Sequence, residues 1–357
     1  MLRTRKSSPV CLLCWLAAWS AVLAQPATEK KEPPPAPPPR TAAEQVLDRA
    51  VEKARKLGSF DTRIRHTVTA HGMKILTSGR FALAPGRKVL YEFAIDMADG
   101  KGSIKWLCDG KTVYRVRNVL EELIVTSYDL AKVDEAQQNI KDDRGELEMA
   151  KVEEILEEFA AEHGFAGVKP LLADLQKRMT FTRHESTVFT TPDGRIVPAY
   201  LLEGEWNKAV LDKMAPIKKA DDPNTTVPDA RKLWDERKAY FFVPRKARLY
   251  LARDGGWPWT DSLWPLRLEL LGATRAGGGD ELLLRLDIEP PAAAIPPDSL
   301  FQLTDAEKKV KALSVDPVLL LQRRRDLAIQ RQRSLDEADR APARSLLTPP
   351  PTPSKPP

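Results

Sequence analysis

Apolar residues recur along the chain with two periods, and the switches between them sketch the fold. From Thr41 the spacing is helical. Val46, Leu47, Ala50, Val51 and Ala54 fall on one face, Gly58 ends the run, and Thr41 with Glu44 has the spacing of a capping box. Beyond it the period drops to two. Ile75, Thr77, Gly79, Phe81 and Leu83 alternate with more polar neighbours. Val89, Tyr91, Phe93 and Ile95 share one face of the next segment, and Ile104, Trp106 and Cys108 share a face of the one after. Turn signals separate the segments: Pro85-Gly86, Asp99-Gly100 and Asp109-Gly110, the last being the strongest hairpin signal in the chain. Thr112 to Arg117 and Leu123 to Thr126 continue the pattern. Short strands joined by tight turns predict an antiparallel meander.

The helical period returns around 144–177. Val152, Ile155, Leu156, Phe159 and Ala160 form a stripe, with Glu153, Glu154, Glu157 and Glu158 on the solvated side; Pro170 precedes Leu171, Leu172 and Leu175. Strands are expected at 179–190 and 196–203 around Pro192-Asp193-Gly194. Residues 205–236, with Pro216, Pro223 and Pro228, look like an insertion with short helices. Strands resume at 247–251, 266–271 and 282–288, the last two joined by Gly277-Gly278-Gly279, and a charged helix follows over about 319–339. The predicted class is α+β: one long, curved antiparallel sheet with helices gathered on one side, those at 41–57 and 144–177 being the available covers.

Composition adds an address. The chain has 357 residues, long enough for a sizeable core, and its 30 prolines concentrate at the two ends. Basic residues, an apolar run over Val10–Trp19 and the small Ala24 have the layout of a secretory signal peptide over 1–24, the rival being an uncleaved anchor. A Pro-rich linker over 25–40 leads into a body over 41–303. A C-terminal helical extension over 304–347 and a Pro-rich tail over 348–357, expected to be disordered, follow. The expected location is periplasmic or otherwise exported. Three cations, Arg3, Arg5 and Lys6, lie in the leader, which has no acid, so the formal charge of +6 falls to +3 without it. That balance implies no nucleic-acid partner. Cys11 and Cys14 leave with the leader. The remaining Cys108 makes no internal disulfide and is expected to pack as a small hydrophobe in a strand.

Motifs that carry chemistry are missing. The sequence contains no phosphate-cradling glycine loop, dinucleotide fingerprint, G-x-S-x-G elbow or H-E-x-x-H. The four histidines, at 66, 71, 163 and 184, are scattered; His66 and His71 are an odd number of positions apart on a strand and face opposite ways. Asp109 is a turn residue, and Asn224-Thr225-Thr226 matches a glycosylation sequon. The expectation is a chain that is no enzyme and needs neither metal nor cofactor. What stands out is aromatic. Tyr91, Phe93, Trp106 and Tyr114 lie on neighbouring predicted strands, as a plain core or as the lining of an apolar concavity able to hold an acyl chain. Trp257, Trp259 and Trp264 sit in a Pro/Gly-rich loop, to clamp a neighbouring helix or to form an exposed patch.

The order of these features resembles the LolA/LolB class of periplasmic lipoprotein carriers. The matching pieces are Leu57-Gly58-Ser59-Phe60, the run Gly79 to Lys88 with its Pro85-Gly86 turn, Tyr91-Glu92-Phe93, Asp109-Gly110-Lys111-Thr112-Val113-Tyr114 and, near the end, Ile295-Pro296-Pro297-Asp298-Ser299-Leu300-Phe301. The likeness is good over about 41–126, weak over 127–245 and fair over 246–303. Where the class has an arginine ahead of the turn proline, this chain has Ala84, with Arg80 and Arg87 nearby. The resemblance implies an unclosed β-barrel with a helical lid whose apolar inside shields acyl chains. Pocket-lining candidates are Phe81, Val89, Tyr91, Phe93, Trp106 and Tyr114. Implied partners are lipid or lipoprotein acyl chains and an envelope membrane protein, with the carrier itself a monomer. The alternative is an envelope scaffold or interaction module whose barrel is filled by its own side chains.

Overall fold

Thr41 starts the first helix as its spacing predicts. Its Oγ accepts from the Glu44 amide at 3.1 Å, and the Glu44 carboxylate accepts from the Thr41 amide at 3.0 Å. The same hydroxyl donates to the Phe181 carbonyl at 2.6 Å, which ties the start of the helix to a strand 140 residues away. The computed structural model describes residues 39–70, 73–97, 100–119, 122–162, 168–210, 244–253, 263–273, 279–291 and 295–347. The leader, the linker up to residue 38, His71, His163, most of the insertion, the sequon, Trp257, Trp259 and the Pro-rich tail lie outside them.

Helix α1 (Ala42–Arg55) leads into six consecutive strands: β1 (Phe60–Ala70), β2 (Met73–Ala84), β3 (Lys88–Met97), β4 (Gly100–Asp109), β5 (Thr112–Val119) and β6 (Glu122–Asp129). Each pairs antiparallel with the next, as the meander predicts. The turns obey their sequence. Gly86 (φ 80°) and Arg87 (φ 64°) occupy the left-handed region after Pro85, and Gly110 (φ 98°) does so after Asp109, whose carboxylate accepts from the Lys111 and Thr112 amides at 2.8 Å.

Three helices follow: α2 (Leu130–Asp142), α3 (Met149–Glu162) and α4 (Val168–Arg178). The sheet then resumes with β7 (Met179–Thr190), β8 (Ile196–Trp206), β9 (Lys246–Ala252), β10 (Pro265–Ala273) and β11 (Asp280–Ile288). Strand β11 pairs with β1, so the two runs join into one sheet of order β12-β6-β5-β4-β3-β2-β1-β11-β10-β9-β8-β7. The end strands do not meet, and the barrel stays unclosed.

Its helix-bearing inner face carries two packs. At the β7 end, α1 and α4 bury Val46, Leu47, Ala50, Leu172 and Leu175. At the β6 end, α2, α3 and the long α6 (Pro317–Leu347) enclose Val133, Ile140, Val152, Phe159 and Leu321 over Cys108, Val113 and Tyr128. Cys108 is buried, as expected, and burial pushes its thiol up from the ordinary value.

The chain reaches α6 by crossing the outer face. A 3-10 turn (Asp298–Phe301) seats Phe301 against Ala82, Ala84, Leu90 and Leu107. Helix α5 (Asp305–Lys308) presents Glu307 to Lys105 at 2.5 Å, with both side chains about nine-tenths buried. Strand β12 (Leu313–Ser314) then pairs parallel to β6. A strap thus runs from the outer face, round the β6 edge, to the inner face.

One close approach is set by a missing side chain. Gly79 lies opposite Phe93, and a Cβ there would sit 1.9 Å from the Glu92 carbonyl oxygen. Gly79→Ala is therefore expected to lower stability by about 1–3 kcal/mol. Gly58→Ala, where a Cβ meets nothing within 4 Å, should change it little. Urea unfolding of both variants checks the contrast; equal stabilities would contradict this packing.

Candidate functional site

Cross-strand register places the inner-face side chains in rows. One row reads Phe60, Leu83, Val89, Cys108, Val113 and Tyr128 from β1 to β6. The next reads Thr62, Phe81, Tyr91, Trp106, Arg115 and Thr126, and a third Ile64, Gly79, Phe93, Ile104, Arg117 and Ile124. A fourth crosses from β10 to β4: Leu268, Leu286, His66, Thr77, Ile95 and Gly102. The fifth holds Leu270, Leu284, Val68 and Ile75.

Rings close the first three rows among themselves. Phe60 meets Phe81 edge-on at 4.9 Å, Phe81 meets Tyr91 at 5.6 Å, and Tyr91 meets Phe93 at 4.5 Å and Trp106 at 5.7 Å. Trp264 joins this cluster. It packs edge-on against Phe60 at 5.1 Å and donates its indole N–H to the Glu289 carbonyl at 3.1 Å, so it is a core residue rather than part of an exposed patch.

The structure brings five of the six candidate residues together. Phe81, Phe93 and Trp106 are buried, and Val89 and Tyr91 are half-buried beside them. Tyr114 does not join them. It stands opposite Leu107 on the outer face, near Phe301, because successive strand residues point to opposite sides. In the fourth and fifth rows Leu268 is buried, whereas His66, Val68, Ile75, Ile95, Leu270, Leu284 and Leu286 are half-buried. Ile95, Leu270 and Leu286 pack against the margin of the cluster that holds α1 and α4.

The polar side chains in these rows include Thr62, His66, Thr77, Arg115, Arg117 and Thr126. Burial lowers His66 from 6.5 to about 4, which keeps the imidazole neutral among these aliphatics, 6.4 Å from the Phe93 ring. Burial also raises the Tyr91 phenol. Arg115 and Arg117 share the face with Val113. No motif marks these two arginines, yet the alternation Val113-Tyr114-Arg115-Val116-Arg117 carries that placement. The outer face has paired charges instead. Arg80 grips Asp61 with two hydrogen bonds of 2.8 and 2.5 Å; Arg183 and Arg248 share Glu203; Arg267 and Arg285 share Asp287. A separate cleft of about 270 Å³ lies between α2 and α6, lined by Ala136, Ile140, Val318 and Arg325 among others.

Among the described residues, no three His, Cys, Asp or Glu side chains come together as metal ligands. Among them also, no helix is long and apolar enough to cross a membrane.

No family model matches the chain, and no curated protein does. Solved structures similar to it include LprF from Mycobacterium bovis, 13% identical, with a TM-score of 0.31 over 72% of this chain and 96% of that one. The MucA/MucB complex of Pseudomonas aeruginosa is 13% identical, with a TM-score of 0.33 over 76% of this chain and 64% of that one. The LolA superfamily protein NE2245 from Nitrosomonas europaea is 13% identical, with a TM-score of 0.25 over 73% and 97%.

His66 supplies a test of the inner face. The unfolded chain takes up this proton near pH 6.5 and the folded chain only near 4, so the contribution to stability is complete above pH 6.5. It is lost as the pH falls through that window. His66→Leu is expected to flatten the stability profile between pH 7 and about 4, read as urea midpoints. A slope equal to that of the wild type would place the imidazole in water.

Proposed function

We propose that this protein is an exported, non-enzymatic holder of acyl chains, which lie along the half-buried part of the fourth and fifth rows of the inner face. The observation that carries this is the continuity of those rows. From Leu286 to Ile95 the half-buried part of the fourth row crosses four strands, roughly 14 Å at about 4.8 Å per strand. Together with the fifth row it offers Leu286, Ile95, Leu270, Leu284, Val68 and Ile75, none of them fully buried. Keeping each CH₂ of a guest from water is worth about 0.8 kcal/mol, so such a surface holds a lipid tail with no catalytic group. Export is supported by the signal-like residues 1–24, and lipid or lipoprotein acyl chains are the guests that suit an exported carrier.

A second reading has its own support. The first three rows are closed by their own rings, and a scaffold that binds only protein needs no guest. Uptake of a fluorescent fatty acid by the purified protein separates the two. Saturable binding is expected, weakened at least tenfold by Ile95→Lys and by Leu286→Lys. Val188→Lys, at an exposed position, should leave it intact. No uptake, or equal uptake by all the variants, would favour the scaffold.

A further inference from the structure

Holding an acyl chain leaves one pair of side chains on the inner face unexplained. Trp106 is 8% exposed, and its indole N–H is buried with no acceptor among the described residues. Arg115 faces it across the β4–β5 ladder, its guanidinium carbon 5.6 Å from the centre of the Trp106 ring, and its Nε is likewise buried without a partner. Unpaired buried donors are costly, and native folds leave few of them. The cross-strand neighbours of Arg115 are Trp106 and Thr126, and those of Arg117 are Ile104 and Ile124, so neither arginine has a carboxylate in register. On the outer face, by contrast, Arg80, Arg183, Arg248, Arg267 and Arg285 each pair with an acid.

Position completes the case. Trp106 lies in the same row as Tyr91, two rows from His66 and Ile95, a step of roughly 13 Å at about 3.3 Å per residue. Resting on the acyl-chain reading, we infer that Trp106 and Arg115 form the headgroup end of that site and select an anionic headgroup. A carboxylate or phosphate oxygen accepts the indole N–H and charge-assisted bonds from the guanidinium, while the tail runs toward Ile95 and Leu286. The ligand class is therefore an anionic amphiphile rather than a neutral one.

The test displaces a bound fluorescent probe with three amphiphiles of equal chain length: a fatty acid, an alkyl phosphate and a fatty alcohol. At least tenfold tighter binding of one or both anions than of the alcohol is expected, with the anion preference weakening as salt is raised. The arm that binds more tightly tells carboxylate from phosphate. Arg115→Met should erase the preference while keeping the alcohol's affinity, and Trp106→Phe should reduce it. An alcohol bound as tightly as the anions overturns the headgroup assignment alone, as does a preference that survives both variants. Because the salt series needs no variant, a salt-independent preference overturns it too, even if a variant fails to fold. Binding of none of the three overturns the acyl-chain reading and the headgroup assignment with it.

Discussion

The two-residue period of the strands is the constraint on which the molecule depends. It sends most apolar side chains of a 12-stranded sheet to one face, and that face must be shielded. Among the described residues, the helices cover its two ends. One pack gathers at β7 and the other at β6, and the rings of the strands between them join the cluster that holds α1 and α4. Phe60, Phe81, Tyr91, Phe93 and Trp106 close three rows by edge-on and tilted contacts. Beyond them the rings stop, and Ile95, Leu270, Leu284 and Leu286 remain half-buried. The candidate site is the stretch of this face whose aliphatic side chains stay half-buried.

The outer face solves a different problem. Its strands carry charge, neutralised by cross-strand pairs, and a strap from Asp298 to Ser314 covers the apolar patch at Ala82, Leu90 and Leu107. Lys105 and Glu307 meet beneath that strap in a nearly buried pair. Burial works to raise the Glu307 carboxyl, but the hydrogen bonds and charge of Lys105 hold it below the usual carboxylate range. Such a pair fixes geometry more than it adds stability, because losing either partner strands the other charge away from water. Through β12 the strap also covers the β6 edge, where an unpaired strand would invite association.

Much of this was legible in the sequence because the signals were local. The Thr41–Glu44 box, the Asp109-Gly110 turn and the alternation through Phe93 and Trp106 all correspond to observed elements. What escaped depends on distant partners. Helix α2 begins at Leu130, well before the expected helical region, although Asp129 caps it and Val133, Ala136 and Ile140 are spaced for burial. The two residues of β12 carry no pattern of their own and exist only by pairing with β6. Residue type groups Tyr114 with Trp106, whereas register puts Arg115 in that place. In β7 an irregularity between Phe181 and Arg183 resets the alternation, so a face counted forward from Phe181 is wrong by Phe189. Trp264 reads as loop in the sequence; only the fold brings Phe60 and the Glu289 carbonyl to it.

Native mass spectrometry of the protein purified from an exporting host tests the central claim most directly. If the half-buried rows hold a guest, the folded protein carries an added mass of one amphiphile that disappears on denaturation. A bare chain mass in repeated preparations, unchanged after incubation with a long-chain fatty acid, would contradict the account.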